Sequence, residues 1–133
     1  HYNVLVREEF ETSYAPVVKE YDLSVFTYWS LEAGFLTGKY RTEEDFAKTA
    51  RGGGIKKYFD NRGKAVLSAL DRVAAKHNTP QATVALAWLL ANPLVTAPIV
   101  SATSESQLQT IFDAPNIKLD EADIDLLNKA GKI

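Results

Sequence analysis

The sequence predicts an α/β fold built on a parallel sheet, and three observations predict it. Short runs rich in β-branched and aromatic residues alternate with longer runs of helical periodicity. Capping residues, glycines and prolines stand where the helices must start and stop. Of the 133 residues, 46% are hydrophobic and 24% charged, which is enough apolar material for a core in one soluble domain.

In chain order, residues 2–6 (Tyr-Asn-Val-Leu-Val) read as a first strand. Residues 8–21 read as a helix with Phe10, Tyr14, Val17, Val18 and Tyr21 on one face. Residues 24–29 form a continuous β-favouring run that suits a strand buried on both faces. The stretch 31–58, with Gly34, Gly38 and the triple glycine 52–54, predicts mostly loop. Residues 61–77 are amphipathic, with Val66, Leu67, Leu70 and Val73 on one side. Thr79 and Pro80 restart the chain as N-cap and first helical residue. The helix over 81–91 is apolar nearly all round, which predicts burial, and Pro93 ends it. Residues 95–100 read as a third strand and 104–112 as a short helix. Asp120 caps a last helix over 121–130, with Gly131 as its stop.

Strand and helix thus alternate three times, the pattern of a parallel sheet with right-handed crossovers. About three strands are too few to close a barrel, and both outer edges would stand open. Residues 1–133 are therefore expected to be a single incomplete domain, part of something larger or in need of a partner. The open strand edges are the candidates for self-association. The abrupt opening at His1 points the same way.

Composition excludes several classes. The net charge is −2 with the signs evenly spread, so no basic nucleic-acid face is expected. There is no cysteine, which rules out disulfides and thiolate metal sites and fits a reducing cytoplasm. The longest apolar run, 82–91, falls short of the ~20 residues that span a bilayer.

Two strand ends carry candidate chemistry, because ligands of parallel α/β folds gather at the carboxyl ends of strands. The first is residues 28–40, YWSLEAGFLTGKY. Its aromatic residues can stack on a flat ring, Ser30 and backbone amides can meet phosphate oxygens, and Lys39 can neutralise them. The plain alternative is core aromatics and a solvated lysine. The second is residues 101–107, SATSESQ. A helix N-terminus binds anions, while Ser104 and Gln107 also fit a simple capping box; the two readings are compatible. His77 sits at a helix end, where the dipole favours it, and His1 has no suitable acid partner nearby in sequence. The triple glycine matches neither a dinucleotide fingerprint nor a Walker loop, and Arg51 beside it reads by default as an exposed cation that could reach a phosphate.

At these residues a family resemblance becomes specific. The run YWSLEAGFLTGKY resembles the loop after the seventh barrel strand of aldo-keto reductases, most of all the bacterial and potassium-channel β-subunit-like branch. Residues 97–108, APIVSATSESQL, resemble that family's eighth strand and cofactor-binding helix. Residues 1–3, HYN, are similar to the end of a segment on its sixth strand. The resemblance implies a partial (β/α)8 TIM barrel, here the sixth to eighth strands with flanking helices. It implies NADP(H)-dependent reduction of a small aldehyde or ketone. In the family a tyrosine acid protonates the carbonyl oxygen, helped by lysine, aspartate and histidine on the second to fourth strands. None of Tyr2, Tyr14, Tyr21, Tyr28, Tyr40 and Tyr58 has that position, so this chain is expected to lack the catalytic residues and to be inactive alone. The alternative is a non-catalytic module that binds dinucleotide weakly.

Carried over position by position, the resemblance places Tyr28 on the nicotinamide. Trp29, Ser30 and Leu31 follow the pyrophosphate, and Lys39 lies near the phosphates. Arg51 reaches toward the adenosine end, and Ser101, Thr103 and Gln107 hold the 2′-phosphate and ribose. The chain departs from the pattern at Ser101, where many members have glycine, and at Thr110 and Ile111, where Glu and Asn often hold the adenine amino group.

Overall fold

The computed structural model describes residues 1–50 and 52–132. Its sheet has two strands rather than three: β1 (Phe26–Thr27) and β2 (Ala97–Pro98), parallel, with Phe26 opposite Ala97 and Thr27 opposite Pro98. The ladder is short for local reasons. Pro98 has no N–H to donate, and Trp29 turns into the left-handed region at φ 59°, which ends the extended run. Neither strand reaches its expected length, and only one face of β1 is covered, since Thr27 is buried and Phe26 exposed.

The expected first strand, residues 2–6, is not a strand. The Asn3 side-chain oxygen accepts the amides of Leu5 (2.9 Å) and Val6 (2.8 Å), and the Asn3 amide donates to the Val6 carbonyl (3.0 Å). An asparagine that captures its own downstream amides curls the backbone into a turn, and no described strand competes for those groups. The apolar reading was sound, because Tyr2, Val4 and Leu5 are all buried. This strap packs on the helices: Tyr2 lies 4.4 Å from Phe10 and 5.3 Å from Trp88, ring to ring.

Residues 8–21 are helical throughout, but Phe10–Tyr14 is a π-helical turn leading into α1 (Ala15–Tyr21). Pro16 cannot donate to the preceding turn, and Ala15 donates instead to Phe10, five residues back. Asp22, at φ 50°, closes α1 in the conformation glycine usually supplies. The stretch 31–58 holds more structure than the expected loop. It contains 3₁₀ turns at Glu32–Thr37, Glu43–Lys48 and Lys56–Tyr58, and the triple glycine belongs to a short helix, α2 (Gly52–Ile55). Packing decides this. Tyr40 stacks on Phe46 at 4.9 Å, Phe59 meets Phe46 edge-on, and a Cβ on Gly52 would fall 1.8 Å from the Phe46 carbonyl oxygen.

The three best-patterned helices form as expected. In α3 (Asn61–His77), Asp60 caps the Gly63 amide at 2.8 Å and the predicted face, Val66, Leu67, Leu70 and Val73, is buried. In α4 (Gln81–Leu90) residues 82–89 are all buried. Pro80, with ψ 152°, is its cap rather than its first helical residue. In α6 (Glu121–Gly131), Asp120 and Asp123 form a reciprocal capping box, and Gly131 is the last helical residue, with Lys132 as the cap, rather than the stop beyond the helix. α3 and α6 are tied at their ends by Lys76, which donates to Asp123 at 2.8 Å, and by His77 Nε2, 2.7 Å from the same carboxylate. His77 thus contacts a carboxylate of the neighbouring helix as well as standing at a helix end. Arg7 links the strap to this layer: it donates to Asn128 (2.8 Å) and lies 5.1 Å over the Trp88 ring.

Candidate functional site

The parallel pairing of β1 and β2 sets their carboxyl ends side by side. The Ile99 amide donates to the Thr27 carbonyl at 2.7 Å, so the residues that follow, Tyr28–Ser30 on one chain segment and 99–103 on the other, leave the sheet together. The first segment turns sharply: Trp29, Glu32, Ala33 and Gly34 all have positive φ, between 46° and 94°. Tyr28 and Trp29 are half exposed, at 51% and 48%, with their rings flanking His1 at 5.6 and 5.7 Å.

Ser30 is buried, and its hydroxyl lies 2.9 Å from the Thr27 carbonyl oxygen and 3.2 Å from that of Ile99. Its single hydrogen therefore serves the protein and braces the two strand ends. Leu31 is half-buried against the core. Lys39 is exposed, its ammonium 5.1 Å over the Tyr40 ring, and its side chain runs past Gly34, where an added Cβ would meet Nζ at 3.0 Å. Arg51 lies outside the described residues.

On the second segment Ser101 and Thr103 are exposed, and α5 (Glu105–Asp113) begins behind Ser104, whose hydroxyl accepts the Gln107 amide at 3.3 Å. The Gln107 side chain does not close the box on Ser104. Its oxygen accepts the Thr103 amide (2.9 Å) and hydroxyl (3.1 Å), one residue earlier, so Thr103 and Gln107 are paired with each other. α5 has no buried residue and presents hydroxyls and first-turn amides at the end facing away from the core.

Sequence reasoning missed the strongest feature of the site. Glu32 is 1% exposed. One of its oxygens lies 2.6 Å from His1 Nε2 and accepts Asn3 Nδ2 at 2.7 Å. Asn3 Nδ2 also reaches the Trp29 carbonyl, 2.9 Å away. Burial raises the Glu32 carboxyl above its ordinary range, opposed by hydrogen bonds from Asn3 and Tyr58 and by the Lys57 charge. His1 therefore does have an acid partner, 31 residues along the chain. No local pattern could reveal it, although an acid placed amid Leu31, Phe35 and Leu36 hints at a buried one.

Two open concavities, one of about 380 Å³ where α3 meets α4 and one of about 500 Å³ between α3 and α6, include no strand-end residue. The first is lined by α3, the Asn78–Pro80 connection and the start of α4, the second by α3 and α6. Among the described residues no group of His, Asp and Glu could hold a metal ion, and no helix is long and apolar enough to cross a membrane.

The model of the aldo/keto reductase family matches residues 1–132, and the chain belongs to that family. It is 30% identical over 128 residues to YrpG, an uncharacterized oxidoreductase of Bacillus subtilis, covering 96% of this chain and 38% of that protein. It is also 30% identical over 128 residues to a probable voltage-gated potassium channel subunit beta of Arabidopsis thaliana, covering 87% and 37%. The crystal structure of Tm1743, a thermostable aldo-keto reductase solved with the inhibitor epalrestat, superimposes with a TM-score of 0.70 at 22% identity, over 98% of this chain and 38% of that one; this likeness shows the fold. The chain spans a little over a third of the length of these relatives.

Proposed function

We propose that this chain is the cofactor-cradling part of an NADP(H)-dependent reductase of small aldehydes and ketones. The observation that carries the reading is the pairing of β1 with β2, which sets side by side the strand ends that run on to Tyr28 and Trp29 and to Ser101 and Thr103. The exposed groups fit a phosphorylated dinucleotide. Two half-exposed aromatic rings suit a flat heterocycle, and exposed hydroxyls at a helix start suit phosphate oxygens. When bound, the cofactor would supply hydride to the carbonyl carbon. Tyr28 would stack on its ring, Trp29 would follow its pyrophosphate, Lys39 would offset phosphate charge, and Ser101 and Thr103 would hold its ribose phosphate. Ser30 and Gln107 act one step back, Ser30 by bracing the strand tips and Gln107 by orienting Thr103. The acidic first turn of α5, with Glu105, and the residues at Thr110 and Ile111 weaken the adenosine end. We place the protein in the cytoplasm on the same reading.

The chain contains none of the family's acid–base residues, so the reading gives no carbonyl turnover by these residues alone and only weak binding. Titration with NADPH and NADH, followed by Trp29 fluorescence, tests it. Binding is expected to be weaker than micromolar and to fall roughly tenfold in Tyr28→Ala, the loss of one good stacking contact of about 1–1.5 kcal/mol. It should be retained in Tyr28→Phe. Equal affinities for all three proteins would remove Tyr28 from the site. Ketone-dependent NADPH oxidation by the purified chain would refute the assignment of the chemistry to absent residues.

A further inference from the structure

The loop after β1 is bent in a way its sequence does not favour. Four of the six residues 29–34 have positive φ, and three of these, Trp29, Glu32 and Ala33, are not glycine. Such a conformation persists only where surrounding contacts over-determine it. The contacts here converge on one buried carboxylate. Glu32 is held by its amide to the Trp29 carbonyl (2.9 Å) and by its side chain to Asn3 (2.7 Å) and His1 (2.6 Å). Asn3 closes the circuit on the same Trp29 carbonyl at 2.9 Å. His1, held at Nε2, packs its ring against both Tyr28 and Trp29, at 5.6 and 5.7 Å between centroids.

We propose that Glu32 is a positioning residue: through Asn3 and His1 its carboxylate locks the left-handed turn that presents Tyr28 and Trp29 to the stacked ligand. The ligand half of this statement rests on the reductase reading above; the locking of the turn does not. Glu32 itself is too buried to touch a ligand, so it acts through its neighbours. The carboxylate geometry matters, since a single oxygen accepts from Asn3 and contacts His1. Shortening the side chain by one methylene withdraws that oxygen from both partners, whereas glutamine keeps an oxygen at the same reach.

The test is ¹⁹F NMR of the 133-residue chain labelled with 5-fluorotryptophan. Its two tryptophans separate the site (Trp29) from the core (Trp88, which donates to Asn128 at 3.0 Å). In Glu32→Ala the Trp29 resonance is expected to broaden and move toward the free indole position while that of Trp88 stays in place. Glu32→Asp should behave likewise, and Glu32→Gln should restore the wild-type Trp29 resonance. NADPH affinity is expected to fall at least fivefold in Ala and Asp and to return in Gln. An unmoved Trp29 resonance in Ala and Asp overturns the proposal, as does a joint shift of both tryptophans in the folded variants, which would mean a merely structural acid. If Glu32→Ala unfolds, Glu32→Asp decides alone. If the wild-type chain binds no NADPH, the reductase reading of this site fails while the variants' Trp29 resonances still judge the lock. If the resonance moves but a measurable affinity does not, the lock exists and does not serve the ligand, which also overturns the proposal.

Discussion

Replacing Ser30 by alanine separates two roles for one hydroxyl. In the structure the group is buried and directed at protein carbonyls, 2.9 Å from Thr27 O and 3.2 Å from Ile99 O. Thr27 O also accepts the Ile99 amide at 2.7 Å, so it keeps a partner in the variant, whereas Ile99 O loses the hydroxyl. Losing one net hydrogen bond and leaving one partly buried acceptor short costs about 1–2 kcal/mol. For a domain of this size that lowers Tm by roughly 3–8 °C. Thermal unfolding followed by circular dichroism measures it, and an NADPH titration of the same variant is expected to change by about twofold or less. A variant with an unchanged melting temperature and a tenfold loss of affinity would show that the hydroxyl faces the ligand, and the bracing argument would be wrong.

Two glycines in different helices give a contrasting pair. A Cβ on Gly63 would lie 1.7 Å from the Tyr58 carbonyl oxygen, whereas one on Gly53 meets nothing within 4 Å. Gly63→Ala is therefore expected to destabilise by about 1–3 kcal/mol. Gly53→Ala should be neutral or stabilising by up to about 1 kcal/mol, and urea denaturation of both variants checks the contrast. Asp123 supplies a pH dependence. Burial raises its carboxyl, but hydrogen bonds from Lys76, His77 and the Asp120 amide outweigh this and hold it below its ordinary value. A carboxylate depressed in the folded state stabilises above the unfolded pKa of about 3.9 and loses that contribution as pH falls through the folded value. The stability gap between wild type and Asp123→Asn should thus be full at pH 6 and narrow below pH 4; a gap that widens on acidification would contradict the assignment.

Much of the helical layer was legible from local pattern. α3 begins and ends where its periodicity places it, and the all-round apolar run of α4 is buried. The strands were less so. Val4 and Leu5 favour a strand and are buried as a strand's residues would be, yet Asn3 took the amides of Leu5 and Val6, because a strand needs a partner edge and a turn does not. The triple glycine looked like a flexible loop and is helical, because Gly52 must pass within contact of the Phe46 backbone. At the candidate site, the aromatic pair and the Ser104 cap were readable. The engagement of Ser30 and Gln107 by protein groups was not, since hydroxyl and amide side chains serve a ligand or the backbone equally well until their neighbours are known.

The sequence alone determined where the main helices lie, the buried face of α3, the caps at Ser104 and Asp120 and the motifs that mark the family, because each depends on residues within a turn or two of one another. Tertiary structure decided which polar groups are spent internally and which face outward. It brought His1 and Asn3 to Glu32 across some thirty residues and set two strand tips seventy residues apart side by side. Burial and long-range hydrogen bonding are properties of the packed chain, and a carboxylate 1% exposed looks in sequence like any other.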